Sequence, residues 1–318
     1  MKQRLTILTE PVGIYYNLKT LGKKKVHSNY FYGGHPAVTR SLIEGLDKVG
    51  FTEYNYRPRN EKEIADHVHV LAGVDTLQYA IKLKKLGKIK RLTAGPNIVA
   101  FSTDYNNIIA SEEVDLYLQP SQWAVNLHIK LQPSLKERCL PWPAGIDIEK
   151  YDVQNYTKKK DQVLVYHKDE SDQFCYRVCN LLKKHGYRPV IIEYGSYILE
   201  DYKRILGESA FAIIISRQES QGIYLSEAWA MDVYTICFEP NYYMWKYDEF
   251  MIDIDGDIST CPYLTKKTGT TFQELRELDF ILENIEDEIR EASPRDWVKS
   301  NMTDECCAQD FLRKIGIS

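Results

Sequence analysis

Short β-rich runs alternate with amphipathic stretches along the whole chain, and this alternation constrains the fold more than any other feature. A strand that returns parallel to its predecessor needs a long crossover, usually a helix. Such a pattern therefore predicts parallel sheets with helices on both faces. Arg4–Thr9 reads as the first strand, and a polar, Tyr-rich loop runs to Tyr32. Gly33-Gly34-His35-Pro36 leads into a helix with Val38, Leu42, Ile43, Leu46 and Val49 inward. Pro36 suits its first turn and Gly50 its C-terminal cap. Val68–Leu71, Arg91–Ala94 and Asp115–Leu118 are the next strands. Leu140-Pro141-Trp142-Pro143-Ala144-Gly145 then breaks the pattern, and a domain boundary is expected shortly after it.

The alternation restarts with strands over Gln162–Tyr166, Arg188–Glu193, Phe211–Ile215 and Val233–Phe238. Helices are expected over Gln173–Lys184, Ile198–Leu206 and Gly222–Met231. Phe211–Ile215 is apolar throughout, as a strand buried on both faces should be. Thr271-Phe272-Gln273-Glu274 has capping-box spacing before an acidic amphipathic helix carrying Leu275, Leu278, Ile281, Leu282, Ile285 and Ile289. The 318 residues suffice for about two domains. The expected division is residues 1–150, residues 151–295, and a C-terminal helix over 296–318 that could pack back on the first domain. Two such halves usually place a ligand in the cleft between them, where strand C-termini and helix N-termini converge.

Hydrophobic residues at 44% and charged residues at 27% exclude collagen-like and largely disordered chains. No apolar run reaches membrane-span length and no signal-peptide core is visible, so a cytoplasmic location is expected. Residues 1–150 hold 21 basic against 15 acidic side chains, and the remainder 20 against 30. The basic first half leaves room for an anionic partner or peripheral membrane contact, whereas nucleic acid is disfavoured by the acidic total and the lack of a motif. Lys82–Arg91 is the densest basic stretch; a solvated helix face explains it better than an anion site. The seven cysteines contain no Cys-x-x-Cys pair. Cys175 and Cys179, with His167 and His185 nearby, lack the second pair a zinc site needs, so buried thiols are expected and no metal is called for.

The segment that carries chemistry is Ser216-Arg217-Gln218-Glu219-Ser220-Gln221-Gly222-Ile223-Tyr224-Leu225-Ser226-Glu227-Ala228-Trp229-Ala230. It leaves a buried strand and enters a helix whose first-turn N–H groups and dipole suit a phosphate. Gly222 would let the backbone approach that anion closely. Glu227, over a turn further on, could accept hydrogen bonds from the vicinal hydroxyls of a ribose, and Glu219 could reach a second polyol. The residues alone thus suggest a sugar nucleotide across one helix end.

Two glutamates at this spacing, with the intervening glycine and Glu227-Ala228-Trp229-Ala230, resemble the donor-site motif of retaining GT-B glycosyltransferases, particularly family 4. Asp115–Trp123 with its Pro120-Ser121, and Leu140–Asp147 ending Gly145-Ile146-Asp147, look like the end of that family's N-terminal domain. The resemblance implies an α/β fold of two Rossmann-like domains facing a cleft. It implies transfer of a sugar, with retention, from a UDP- or GDP-linked donor to a hydroxyl of a glycan or glycolipid, without metal or other cofactor. Glu219 would contact donor-sugar hydroxyls and Glu227 the ribose, with backbone N–H groups of Ile223, Tyr224 and Leu225 on the diphosphate and Ser220 beside them. Lys168, after His167, would neutralise the leaving diphosphate, with Arg217 as a substitute because the family's usual Gly-Arg…Lys-Gly pattern is absent. Tyr194 and Gly195 would sit by the base. Gly33, Gly34 and His35 match the family's N-domain glycine loop, although a plain helix cap explains them equally well.

The competing readings are a non-catalytic sugar-nucleotide binder and a GT-B-like epimerase or phosphorylase. Asp253-Ile254-Asp255-Gly256-Asp257 contains Asp-x-Asp twice but lacks calcium-loop spacing, and reads as an acidic turn.

Overall fold

The structure is a computed structural model that describes residues 4–10, 34–240, 244–247, 250–253 and 258–317. The chain divides into two compact units, one of residues 1–144 with 307–318 and one of residues 145–306.

The first unit holds a six-stranded parallel sheet ordered β2-β1-β3-β4-β5-β6. Its strands are β1 (Leu5–Thr9), β2 (Tyr54–Tyr56), β3 (His67–Ala72), β4 (Arg91–Asn97), β5 (Leu116–Gln119) and β6 (Cys139–Pro141). The crossovers include α1 (Gly34–Lys48), α2 (Val74–Lys85) and α3 (Gln122–Leu131). In α1, Val38, Leu42 and Leu46 are buried, whereas Ile43 and Val49 are half-buried at the margin of the apolar stripe. Gly50 ends α1 at φ +74°; its N–H donates to the Asp47 carbonyl and that of Phe51 to Leu46, a paired cap that needs the left-handed region. The Lys82–Arg91 stretch is a surface feature: Lys84, Lys88 and Lys90 pair with Asp115, Glu61 and Asp66. Packed within this unit, Phe311 lies edge-on to His69 at 4.8 Å and against Trp142 at 5.2 Å. The Trp142 indole N–H donates to the Cys307 carbonyl.

The second unit holds a five-stranded parallel sheet ordered β13-β10-β9-β7-β8. Its strands are β7 (Lys159–His167), β8 (Arg188–Glu193), β9 (Ser209–Ile215), β10 (Thr235–Phe238) and β13 (Gly269–Phe272). A separate antiparallel hairpin pairs β11 (Met244–Tyr247) with β12 (Phe250–Asp253). The helices are α4 (Asp172–Lys184), α5 (Leu199–Glu208), α6 (Ile223–Ala230), α7 (Leu275–Glu283), α8 (Ile285–Glu291), α9 (Pro294–Asn301) and α10 (Asp304–Ile315), the last of which begins in this unit and ends in the other. All five residues of Phe211–Ile215 are fully buried. At roughly 1.5–3 kcal/mol for each of its four large side chains, this strand is a main apolar anchor of the unit.

Three expectations are corrected here. The capping box at Thr271 does not form, because Thr271 and Phe272 belong to β13, where Phe238 pairs with Phe272. The cap residue of α7 is Glu274, and the Glu277 carboxylate reaches back to the Gln273 N–H. The single acidic helix is two, α7 and α8, split at Asn284. Cys139–Pro141 is a strand despite its proline, which sits at the open end of an edge strand where no ladder N–H is required. Of the Asp-x-Asp pair, Asp253 ends β12 and residues 254–257 lie outside the described residues, as do Gly33 and the Tyr-rich loop. Among the described residues, no helix is long and apolar enough to cross a membrane.

Candidate functional site

In an open parallel sheet, ligands bind at the strand C-termini where the strand order reverses. In the second unit that point lies between β7 and β9, and polar segments leave both strands there. The Lys168 N–H donates to the Ile215 carbonyl at 2.8 Å, so both strands end level and deliver their loops together.

Lys168 Nζ donates to Glu219 Oε1 at 2.7 Å, and the Ser216 hydroxyl donates to the same oxygen at 3.2 Å. The side chains are only 17% and 10% exposed, so this is a nearly dry ion pair. Burial raises the Glu219 pKa above the usual carboxylate value, an effect that Lys168 and the Tyr224 and Ser216 hydroxyls only partly offset. Burial by itself lowers the Lys168 pKa, but the Glu219 charge more than compensates and the ammonium is held above its usual value. Lys168 is therefore a committed cation. It also lies 4.6 Å over the Tyr194 ring, which is itself exposed beside Gly195 at φ +78°.

A second ring of charge supports this pair. Arg217 pairs with Glu170 at 3.0 Å. His167 Nδ1 faces the Glu193 carboxylate at 2.9 Å and its Nε2 faces the Glu170 carbonyl at 2.8 Å. Burial lowers the His167 pKa, but these two acceptors outweigh it and favour the imidazolium. That use of His167, and the hold of Asp279 on His185, leave Cys175 and Cys179 as buried thiols.

Beyond the pair, the Glu219 N–H is anchored on the Ser259 carbonyl, and Ser220 is exposed. Gly222 opens α6 at φ +73°, ψ +60°, a left-handed conformation suited to glycine. Ile223 and Tyr224 begin the helix, whereas the Leu225 N–H donates to the Gly222 carbonyl at 2.9 Å and is engaged within the turn. Tyr224 stacks on Tyr166 at 4.2 Å. Glu227 is buried and accepts a 2.6 Å hydrogen bond from the Tyr151 hydroxyl. Tyr197 senses both glutamates: its hydroxyl is pushed up to about 12, by burial first and by the Glu227 and Glu219 charges after it.

Lys168, Glu219, Arg217, His167 and Tyr194 thus form one contact network at the C-terminal ends of β7, β8 and β9, and α6 presents Gly222 and Glu227 from the following helix. Gly34 and His35 belong to the first unit, where α1 starts and His35 Nε2 lies 2.7 Å from the Thr9 hydroxyl. Glu170, Tyr197 and Tyr151 were not foreseen. Their partners lie 47, 31 and 76 residues away, with Tyr166 as the partner of Tyr197, and no local spacing marks such pairs.

No protein-family profile matches the sequence. No curated protein aligns with it significantly. Solved structures do match in fold. The lipopolysaccharide outer core galactosyltransferase WaaB superposes with a TM-score of 0.60 at 12% identity, over 99% of this chain and 99% of that one. Anabaena HepE in complex with UDP-glucose gives 0.54 at 9% identity, over 98% and 99%. WaaG, a glycosyltransferase of lipopolysaccharide biosynthesis, gives 0.51 at 10% identity, over 98% and 100%. The fold is GT-B. In GT-B terms, each unit described above is one Rossmann-like domain, as the family resemblance implied, and the Lys168–Glu219 pair lies in the second.

Proposed function

We propose that the chain is a retaining glycosyltransferase of the family-4 kind, moving a sugar from a nucleoside diphosphate to a hydroxyl of a glycan or glycolipid on the cytoplasmic side. The observation that carries this reading is the buried Lys168–Glu219 pair at the strand-order reversal, beside the N-terminus of α6. HepE in complex with UDP-glucose, and with UDP and glucose, makes a UDP-sugar the first donor to try.

The chemistry follows from charge. Departure of a nucleoside diphosphate concentrates negative charge on the leaving phosphate, and fixed positive groups lower that barrier without a protein nucleophile. Lys168 stays protonated across the neutral range, and the Ile223 and Tyr224 amides with the α6 dipole add to it. This set supplies the neutralisation, so the reading calls for no divalent cation. Glu219, held by Lys168 and Ser216, takes donor-sugar hydroxyls, and Glu227 takes the ribose diol. Tyr194 and Gly195 flank the base.

Transfer from UDP- and GDP-sugars, followed as nucleoside diphosphate release, tests this reading. Glu219→Ala should lower the rate about 10²–10³-fold in protein that circular dichroism shows still folded, and EDTA should leave the wild-type rate unchanged. Near-wild-type transfer by Glu219→Ala would overturn the site, and loss of activity in EDTA would overturn the metal-free mechanism.

A further inference from the structure

Tyr151 lies 76 residues before Glu227, outside the donor-site motif, yet its side chain is built into that motif. It is 5% exposed and donates its hydroxyl to Glu227 Oε1 at 2.6 Å, the short distance of a charge-assisted O–H···O⁻ bond. Each end of the residue is fixed. Lys203 Nζ sits 4.6 Å over the phenol ring and donates to the neighbouring Lys150 carbonyl. The Tyr151 carbonyl accepts from Arg295 Nη1, which also takes the Ala230 carbonyl at the last residue of α6. One guanidinium therefore ties the backbone of Tyr151 to the C-terminal end of the helix that carries Glu227. The phenol and the carboxylate meet in a set register, and the overlying ammonium draws electron density from the ring and strengthens the hydroxyl as a donor.

A buried carboxylate on a three-torsion side chain is useful for recognition only if its orientation is fixed before the ligand arrives, because ordering it on binding costs affinity. We propose that Tyr151 is a positioning residue of the donor site, its hydroxyl setting the Glu227 carboxylate for the vicinal ribose hydroxyls of a nucleoside diphosphate. This rests on the assignment of Glu227 to the ribose made above.

The test uses the full chain and measures dissociation constants by calorimetry. The ligands are whichever of UDP and GDP binds more tightly and its 2′,3′-dideoxy analogue. Wild type should prefer the ribonucleotide, and Glu227→Ala should erase that preference. Tyr151→Phe should weaken the ribonucleotide about tenfold and the dideoxy analogue less than twofold, with kcat at saturating donor held within about threefold. Lys203→Met, which leaves the phenol in place, should give the same ribose-specific loss at about two- to threefold.

Equal losses on both ligands would make Tyr151 a packing residue and overturn the proposal, as would no loss at all. If Glu227→Ala keeps the ribose preference, or wild type binds neither diphosphate, the ribose assignment itself falls and the proposal with it. Loss of preference in Glu227→Ala but not in Tyr151→Phe rejects Tyr151 alone.

Discussion

The two sheets share one architecture and differ in what they place where the strand order reverses. In the first unit that point lies between β1 and β3, and among the described residues its groups are mostly neutral: the Thr9 hydroxyl, the His35 imidazole and the bare backbone of Gly73. Burial lowers the His35 pKa, so the ring stays neutral, and Glu10 is the exposed exception. In the second unit the equivalent point carries Lys168, Glu219, Arg217, Glu170, His167 and Glu193, each in a charged or charge-assisted pair. A parallel sheet supplies a crevice by topology alone. Among the described residues, the charge in one crevice is what distinguishes a candidate reaction site from its twin, since a glycine at positive φ opens the next helix in both.

The largest expected effect follows from that charge. Lys168→Met keeps the length of the side chain and removes its cation, so kcat should fall about 10²–10³-fold with nucleoside diphosphate affinity weakened as well. It also leaves Glu219 buried without its ammonium, and the carboxylate pKa should rise further. Steady-state kinetics across pH checks both effects. A kcat within about threefold of wild type would mean that the charge of the second crevice is structural.

Next in size is Gly95→Ala in the first unit. Gly95 sits at φ +103°, and a Cβ there would lie 2.1 Å from the Leu118 carbonyl oxygen on the adjacent strand. Backbone cannot yield as a side chain can, so the loss should be about 3 kcal/mol or more in urea unfolding. Protein that remains folded should bind nucleoside diphosphate as wild type does, if the first crevice serves the fold and not the diphosphate.

The fold was legible where local pattern and tertiary demand coincide. Pro36 and Gly50 bracket α1, and the apolar run Phe211–Ile215 is the core of β9, because those signals describe the same burial that the structure uses. The strands β2, β6 and β13 carry three or four residues each, and neighbours rather than propensity decide them. Gly269 shows this: it begins β13 because a Cβ would meet the Thr235 carbonyl at 2.1 Å, which no reading of Thr-Gly-Thr-Thr reveals. In the site, Glu219 stood out as a carboxylate after a buried strand and Lys168 only through the family resemblance, and the structure joins them. Glu170, Tyr151 and Tyr197 did not, because they act through partners supplied by other elements.

Acid should separate the units next. Burial lowers the pKa of His67 and His128 to about 4 and that of His69 to about 3, against the usual 6.5. The native first unit keeps them neutral while the unfolded chain binds protons below pH 6.5. Their contribution is therefore complete above 6.5 and declines toward pH 4, by roughly 2 kcal/mol per histidine at pH 5. His167 runs the other way: its raised pKa adds stability below 6.5 that is lost as pH climbs through the native value. Between pH 7 and 5, amide protection corrected for intrinsic exchange should fall in β3 and β4 more than in β7 and β9. Equal loss in both sheets would remove the histidines as the cause.

The smallest effect bears most directly on what separates the two glycines. Gly222→Ala forces an L residue to φ +73°, at about 1 kcal/mol, and of the nearest atoms its Cβ would clash with Leu225 Cδ1 alone, at 2.8 Å, the tip of a side chain that can rotate away. The fold should therefore tolerate it where it does not tolerate Gly95→Ala. The first turn of α6 would nonetheless shift, and the Ile223 and Tyr224 amides with it. If these amides serve a diphosphate, the variant should bind nucleoside diphosphate three- to tenfold more weakly and the corresponding nucleoside equally well. If both ligands weaken together, Gly222 is a structural glycine like Gly95, and the charge around Lys168 has to carry diphosphate recognition without the helix.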